Sequence, residues 1–120
     1  MAVTWPNRRQ DVQAGLDLLA APPEVDENGR DQRWPDLTNA VHWVVDDTGW
    51  DLRPTADDVG TLLFDANEAE ALAAVVSLVI DVSRRQGATT SDADWFADAD
   101  WPKVQRAAKQ AAALLRANDG

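Results

Sequence analysis

Residues 65–87 read DANEAEALAAVVSLVIDVSRRQG and carry the clearest helical pattern of the chain. Asp65 is a favoured capping residue, and Glu68 stands three residues later, where the acid of a capping box belongs. Gly87 is typical of a helix end, and Arg84 and Arg85 suit the negative pole of the helix dipole. The apolar residues between them repeat at spacings of three and four and spread beyond one stripe: Leu72, Val75, Val76, Leu78, Val79, Ile80 and Val82. A helix that is apolar on most sides lies at the centre of its domain, so residues 72–82 are predicted to form a central helix.

Three tryptophan-proline pairs precede other apolar-periodic segments. Proline is well tolerated in the first turn of a helix, and a large apolar residue before it can fold back onto that turn. We therefore expect three helix entrances, each anchored by an indole ring, at Trp5-Pro6, Trp34-Pro35 and Trp101-Pro102. Trp101 and also Trp43 are expected to pack against the central helix.

The first and last segments complete the predicted layout. A helix is expected over residues 7–20, ended by Pro22-Pro23, with a polar loop at 22–34. A short helix capped by Thr55 should reach residue 62 or 63, and another short one should carry Trp95. The last helix should fray over residues 117–120. Its predicted buried face is formed by Val104, Ala108, Ala111 and Leu115.

Residues 36–48 are ambiguous between helix and strand. Leu37, Val41, Val44 and Val45 form a helical stripe, but β-branched residues over 37–45 also fit a strand. The flanking Trp34-Pro35 pair and Gly49 favour a helix. The 120 residues thus predict one all-α domain, 1–120, of about four main helices. The alternative is an α+β fold with a strand at 37–45.

Charge and composition narrow the classes of function. The chain carries 21 acids and 11 lysines or arginines, a net charge of −10, and no cysteine. Disulfides, thiolate metal sites and a cysteine nucleophile are excluded. The negative field disfavours nucleic acid and anionic membranes as partners and favours a basic protein, although acidity also simply maintains solubility. No signal peptide or membrane span is recognised, and a cytoplasmic location is expected.

Residues that could carry catalysis are few. His42 is the single histidine, and no nucleophile motif accompanies it, so we interpret it as a packed or half-buried residue. The paired aspartates lack a calcium-loop pattern, because residues 92–103 contain neither its glycine nor its glutamate. We interpret them as capping residues. No catalytic residue, metal or cofactor is predicted.

Two of the six tryptophans, Trp50 and Trp95, fall in connectors and are flanked by acids. Such residues either cover the ends of the core or form hot spots at a protein interface. Base stacking is a third possibility, but it normally needs a basic groove. The candidate partner-binding residues are Asp46, Asp47, Trp50, Asp51, Asp57, Asp58 and Trp95.

Several motifs resemble a family of small acidic proteins that is frequent in high-GC Gram-positive bacteria. They are the segment 40–48, AVHWVVDDT, the Val59-Gly60 turn, the acidic helix from Glu68, and Trp101-Pro102 followed by Val104. The resemblance covers residues 34–116 and transfers no activity and no catalytic residue. The chain is also similar, in size, acidity and helical layout, to small immunity proteins that neutralise bacterial toxins.

The leading hypothesis is a non-enzymatic module that binds a basic protein such as a toxin domain, in the manner of an immunity protein or antitoxin. The second is a small metal-dependent or acid–base enzyme that uses His42, Asp46 and Asp47. The third is a structural protein that self-associates as a homodimer. Convergence of the three side chains in one cleft would favour the second hypothesis.

Overall fold

The computed structural model describes residues 3–87 and 90–119. Over these residues the chain is a compact all-α domain without a β-strand, and the predicted fold class is confirmed. The elements are α1 Pro6–Ala20, α2 Leu37–Val41, a π-helical turn His42–Asp46, a 3-10 turn Thr55–Asp58, α3 Ala66–Gln86, α4 Asp92–Phe96 and α5 Trp101–Asp119. The alternative of a strand at 37–45 is wrong. None of the helices in the described ranges is long and apolar enough to cross a membrane.

Helix α3 is the central element, as its sequence predicts. The Asp65 carboxylate accepts the backbone N–H of Glu68 at 2.9 Å, and Gly87 follows the helix with φ of +77°. Helix α5 packs along both α3 and α1. Its small residues permit this close approach. All four residues predicted for its inner face are buried: Val104, Ala108, Ala111 and Leu115.

Helix α1 packs so closely against α2 and the π-helical turn that only glycine fits at position 15 of α1. A Cβ atom added at Gly15 would lie 2.7 Å from Cγ2 of Val44 and 3.1 Å from the carbonyl oxygen of Ala40. Leu16 and Leu19, which follow Gly15 in the same helix, are fully buried. The packing of α1 thus fixes the position of the π-helical turn.

Two of the three tryptophan-proline pairs open helices. Pro6 and Pro102 stand in the first turns of α1 and α5, and Trp101 is buried as an anchor. The anchor predicted at Trp5 is wrong, because that ring is 46% exposed. A helix also begins after Trp34-Pro35, but Pro35 lies outside its first turn, because Asp36 caps α2 by accepting the N–H of Asn39. Trp34 is 80% exposed and anchors nothing in the core.

The helix predicted from Thr55 to residue 62 or 63 ends at Asp58. Thr55 does not cap it, since its hydroxyl donates to the carbonyl of Ala69 instead. Gly60 follows with φ of +97°, which turns the chain out of the helical region.

The tail predicted to fray from residue 117 is helical as far as Asp119. Asn118 donates to Oε2 of Glu68 at 2.7 Å, and Nε of Arg9 donates to Oδ1 of Asp119 at 2.9 Å. These side-chain bonds hold the last turn of α5 against α1 and α3. Gly120 lies outside the described residues.

Candidate partner-binding surface

The π-helical turn determines how the chain leaves α2. The N–H of Asp47 donates to the carbonyl of His42, five residues earlier, at 2.7 Å. One extra residue is therefore accommodated in this turn compared with an α-helix. Val44 and Val45 remain buried, while Asp46 and Asp47 are exposed. The turn thus places two adjacent carboxylates at the surface directly above the core.

The next residues, 49–53, form a tight turn that presents an apolar side chain. Gly49 has φ of +76°, and its carbonyl accepts the N–H groups of both Leu52 and Arg53, at 3.0 and 2.9 Å. Leu52 is 88% exposed at the tip of this turn. We call Leu52 and the four exposed acids around it in sequence the Leu52 surface: Asp46, Asp47, Asp51 and Asp57.

A buried hydrogen bond fixes the turn from below. Trp50 is only 4% exposed, and its indole N–H donates to Oδ2 of Asp58 at 2.7 Å. Arg53 donates to the same carboxylate oxygen at 3.2 Å and to the carbonyl of Thr48 at 2.7 Å. The Thr61 hydroxyl donates to the other oxygen of Asp58 at 2.9 Å. The backbone on both sides of Leu52 is thus tied to a satisfied polar cluster.

Trp50 and Asp58 therefore do not form part of an exposed surface. For Trp50, burial agrees with the interpretation that it covers the core and not with the alternative of an interface hot spot. For Asp58, the prediction of an exposed partner-binding acid is wrong. The acids around Trp50 in sequence face solvent, whereas its ring turns inward and uses Asp58 as a partner. A buried indole normally needs such an acceptor. The sequence offered one signal for this pairing, an acid placed where Trp50 could reach it within a short loop.

Trp43 lies beside α1 and Trp34. Its ring is perpendicular to that of Trp34, with centroids 6.2 Å apart. With Arg8, Asp11, Asp47 and Thr48 it lines a cavity of about 230 Å³. Nη1 of Arg8 donates to the carbonyl of Asp47 at 3.1 Å. Trp43 thus joins the exposed Trp34 to the edge of the Leu52 surface, and the sequence did not predict this contact.

His42 and Asp46 meet, but Asp47 lies in a different place. Nδ1 of His42 is 2.7 Å from Oδ2 of Asp46, and both side chains are about half exposed. Asp47 lines the cavity beside Trp43, which His42 does not line. Across the described ranges no group of three histidine or acidic side chains is placed to hold a metal ion.

Trp95 is separated from the Leu52 surface. It is half-buried on α4, and its indole N–H donates to the carbonyl of Gly87 at 3.2 Å. It lines another cavity, together with His42. Of the seven residues predicted from the sequence, four thus lie on the Leu52 surface, two lie beneath it, and Trp95 lies elsewhere.

Comparison with known proteins identifies the family. Residues 3–120 match the family model of a domain of unknown function, DUF7945, and the chain belongs to that family. No curated protein and no solved structure matches the chain.

Proposed function

We propose that this chain is a non-enzymatic cytoplasmic module that binds a basic protein through the Leu52 surface. The observation that carries the proposal is Leu52 itself, 88% exposed on a turn whose backbone is held by the buried bond between Trp50 and Asp58. Single exposed leucines are ordinary on protein surfaces. A leucine on a fixed backbone, with four exposed acids near it in sequence, matches an apolar anchor within a charged rim.

A fixed turn favours binding because association costs the entropy of whatever becomes ordered. The hydrogen bonds from Leu52 and Arg53 to Gly49, and from Arg53 to Thr48, already order this segment in the free protein. Leu52 would supply apolar burial in a pocket of the partner, and the acids would supply orientation. Truncating such an anchor typically costs more than 1 kcal/mol of binding free energy.

The acidity of the chain supports a partner of opposite charge. A net charge of −10 on 120 residues attracts a basic protein over roughly a Debye length, about 8–10 Å in ordinary salt. Steering of this kind raises the association rate and makes it fall with added salt. The resemblance to immunity proteins supports a toxin domain as the basic partner, so we propose an immunity or antitoxin role.

The test is binding to a defined partner with matched variants. Tagged wild-type protein is used as bait in its native cells, and each recovered protein is purified and titrated against Leu52→Ala. Val25→Ala removes another exposed apolar side chain, in the 22–34 loop, and serves as the control. We expect a basic partner, at least tenfold weaker binding by Leu52→Ala, and little change for Val25→Ala. Recovery of no basic protein, or equal binding by both variants, would contradict the proposal.

The acids are tested separately by kinetics. Replacing Asp46, Asp47 and Asp51 together by asparagine should slow association and flatten its salt dependence, with a smaller effect on dissociation. If sedimentation shows instead a stable dimer that Leu52→Asp dissociates, the occupant of the surface is a second copy of the chain. That result would favour the structural, self-associating function.

The second candidate function is acid–base catalysis, and the pairing of His42 with Asp46 is the observation that favours it. A carboxylate on Nδ1 orients an imidazole and leaves Nε2 available for proton transfer. The two functions separate experimentally, because His42→Asn should leave partner binding unchanged. If His42→Asn abolished the protective effect of the protein against its partner while binding persisted, catalysis would replace simple binding as the function.

A further inference from the structure

A second cavity, of about 250 Å³, lies between α2 and the π-helical turn, the end of α3, and α4. It contains no residue of the 49–53 turn, and it adjoins the Leu52 surface where His42 pairs with Asp46. Its lining combines apolar and polar side chains. The proposal depends on the apolar residues Leu37, Val41 and Trp95 and on the polar residues His42, Ser83 and Asp92.

The carboxylate of Asp92 is held in place by a backbone N–H, and no described residue provides it with a cationic partner. Its Oδ2 accepts the backbone N–H of Asp31 at 2.8 Å, while the Asp31 carboxylate is itself paired with Arg33 at 2.9 Å. No lysine, arginine or histidine within 3–87 and 90–119 forms an ion pair with Asp92. A half-buried carboxylate without a counter-charge favours a cation in the space beside it.

The other walls are also fixed in position. Trp95 is oriented by its bond to Gly87, so its ring is a stable side of the cavity. His42 is oriented by Asp46, and Nε2 is its remaining polar atom. Pockets for small molecules typically combine apolar and aromatic walls with a few such placed polar groups.

We propose that this cavity binds a small primary amine that carries an apolar body. The ammonium group pairs with Asp92, and the body lies against Leu37, Val41 and Trp95. A volume of about 250 Å³ holds roughly eight to ten non-hydrogen atoms at liquid density. A metal ion fits less well, because no set of three potential ligands converges in the described part of the chain. The proposal does not depend on the protein-binding function.

Phenethylamine is the probe, and 2-phenylethanol is its uncharged counterpart of the same size. The indole N–H resonance of Trp95, assigned with Trp95→Phe, reports binding in the intact protein. For a ligand of this size we expect saturable binding of phenethylamine with a dissociation constant of about 1 mM. The alcohol should bind at least tenfold more weakly. Absence of a saturable shift up to tens of millimolar, or equal affinity for the two molecules, would overturn the proposal.

Two variants show whether the charge and the cavity are both needed. Asp92→Asn retains an oxygen for the N–H of Asp31, and should lower the affinity for phenethylamine to that for the alcohol. Val41→Phe keeps the charge but fills the cavity, and should abolish the shift with both molecules. Asp51→Asn, on the Leu52 surface, is the control and should bind phenethylamine normally. Unaltered phenethylamine binding by either cavity variant would contradict the site, whatever the outcome of the partner-binding experiment.

Discussion

The guanidinium of Arg9 on α1 and the carboxylate of Glu68 on α3 form a bidentate ion pair in the interior, with N–O distances of 2.7 and 2.8 Å. The two side chains are 5% and 0% exposed. Arg9 also donates to the carbonyls of Leu62 and Leu115, at 2.9 and 3.3 Å. One arginine thus ties together α1, the segment before α3, α3 itself and the end of α5.

Breaking this pair from one side should be costly. Glu68→Gln removes the buried counter-charge of the Arg9 guanidinium and leaves it only the half-exposed carboxylate of Asp119. Breaking a buried ion pair from one side typically destabilises a protein by about 3–5 kcal/mol. Urea unfolding measures the loss. Asp17→Asn removes the exposed pair with Arg116 and is the matched control, with an expected cost below about 1 kcal/mol. Similar losses in the two variants would contradict a special role for the buried pair.

The carboxylate of Glu68 also makes the stability of the protein depend on pH. Burial opposes the charged form of Glu68, but hydrogen bonds from Arg9, the N–H of Phe64 and Asn118 outweigh it, so its pKa lies below the ordinary 4.5. The hydrogen bond from Arg85 lowers the pKa of Asp98 in the same direction. The unfolded chain therefore binds more protons than the folded one as the solution becomes acidic.

Stability from these groups should be fully present above about pH 4.5 and should fall as the pH drops through their folded pKa values. Urea unfolding at a series of pH values from neutral to 3 measures the slope. Glu68→Gln should flatten it, because that side chain no longer titrates. A slope that is unchanged in this variant would exclude Glu68 as a source of the acid sensitivity.

Removing the indole N–H of Trp50 should weaken the support of the turn. Trp50→Phe keeps most of the apolar volume but leaves Oδ2 of Asp58 short of one donor, which costs about 1–3 kcal/mol. Amide hydrogen exchange at Leu52 and Arg53 should accelerate as well. Trp34→Phe, at an 80% exposed position, is the control and should change stability by less than about 0.5 kcal/mol. Equal effects of the two substitutions would argue against the Trp50–Asp58 bond as a support.

The close contact between α1 and the π-helical turn can be tested with one substitution that causes a clash and a second that relieves it. Gly15→Ala gains about 1 kcal/mol of helix propensity, but its Cβ would lie 2.7 Å from Cγ2 of Val44. Overpacking of this kind costs about 1–3 kcal/mol, so a net loss of stability is expected. Adding Val44→Ala should recover part of it in a double-mutant cycle. Additive losses would place the strain at another contact.

Local sequence signals were sufficient for the main helices. Asp65 and Gly87 mark both ends of α3 because a cap and a left-handed glycine act within a few residues of the helix they bound. The inner face of α5 follows from its spacing alone, since every position of that stripe is buried. These features depend on neighbours in the chain, and the sequence displays such neighbours directly.

Features that depend on distant residues could not be read in this way. Glu68 resembled a capping acid, yet its main partner is Arg9, 59 positions away. The acidic neighbours of Trp50 left two interpretations open, a core-covering residue or an exposed hot spot, and only the folded loop brings Asp58 beneath its ring. The π-helical turn was also missed, since the apolar spacing over 37–45 fits α-helix, π turn and strand almost equally.

The π-helical turn also determines the orientation of the Leu52 surface relative to the helices. Each residue added to a helix rotates the following residues by about 100° around the helix axis. The additional residue in His42–Asp46 therefore determines the direction in which the 49–53 turn presents Leu52. Chain length, more than side-chain identity, thus governs where the leucine points. Substitutions can remove apolar area from the Leu52 surface or change its charge. Changing its direction would require a deletion or insertion within the five residues His42–Asp46.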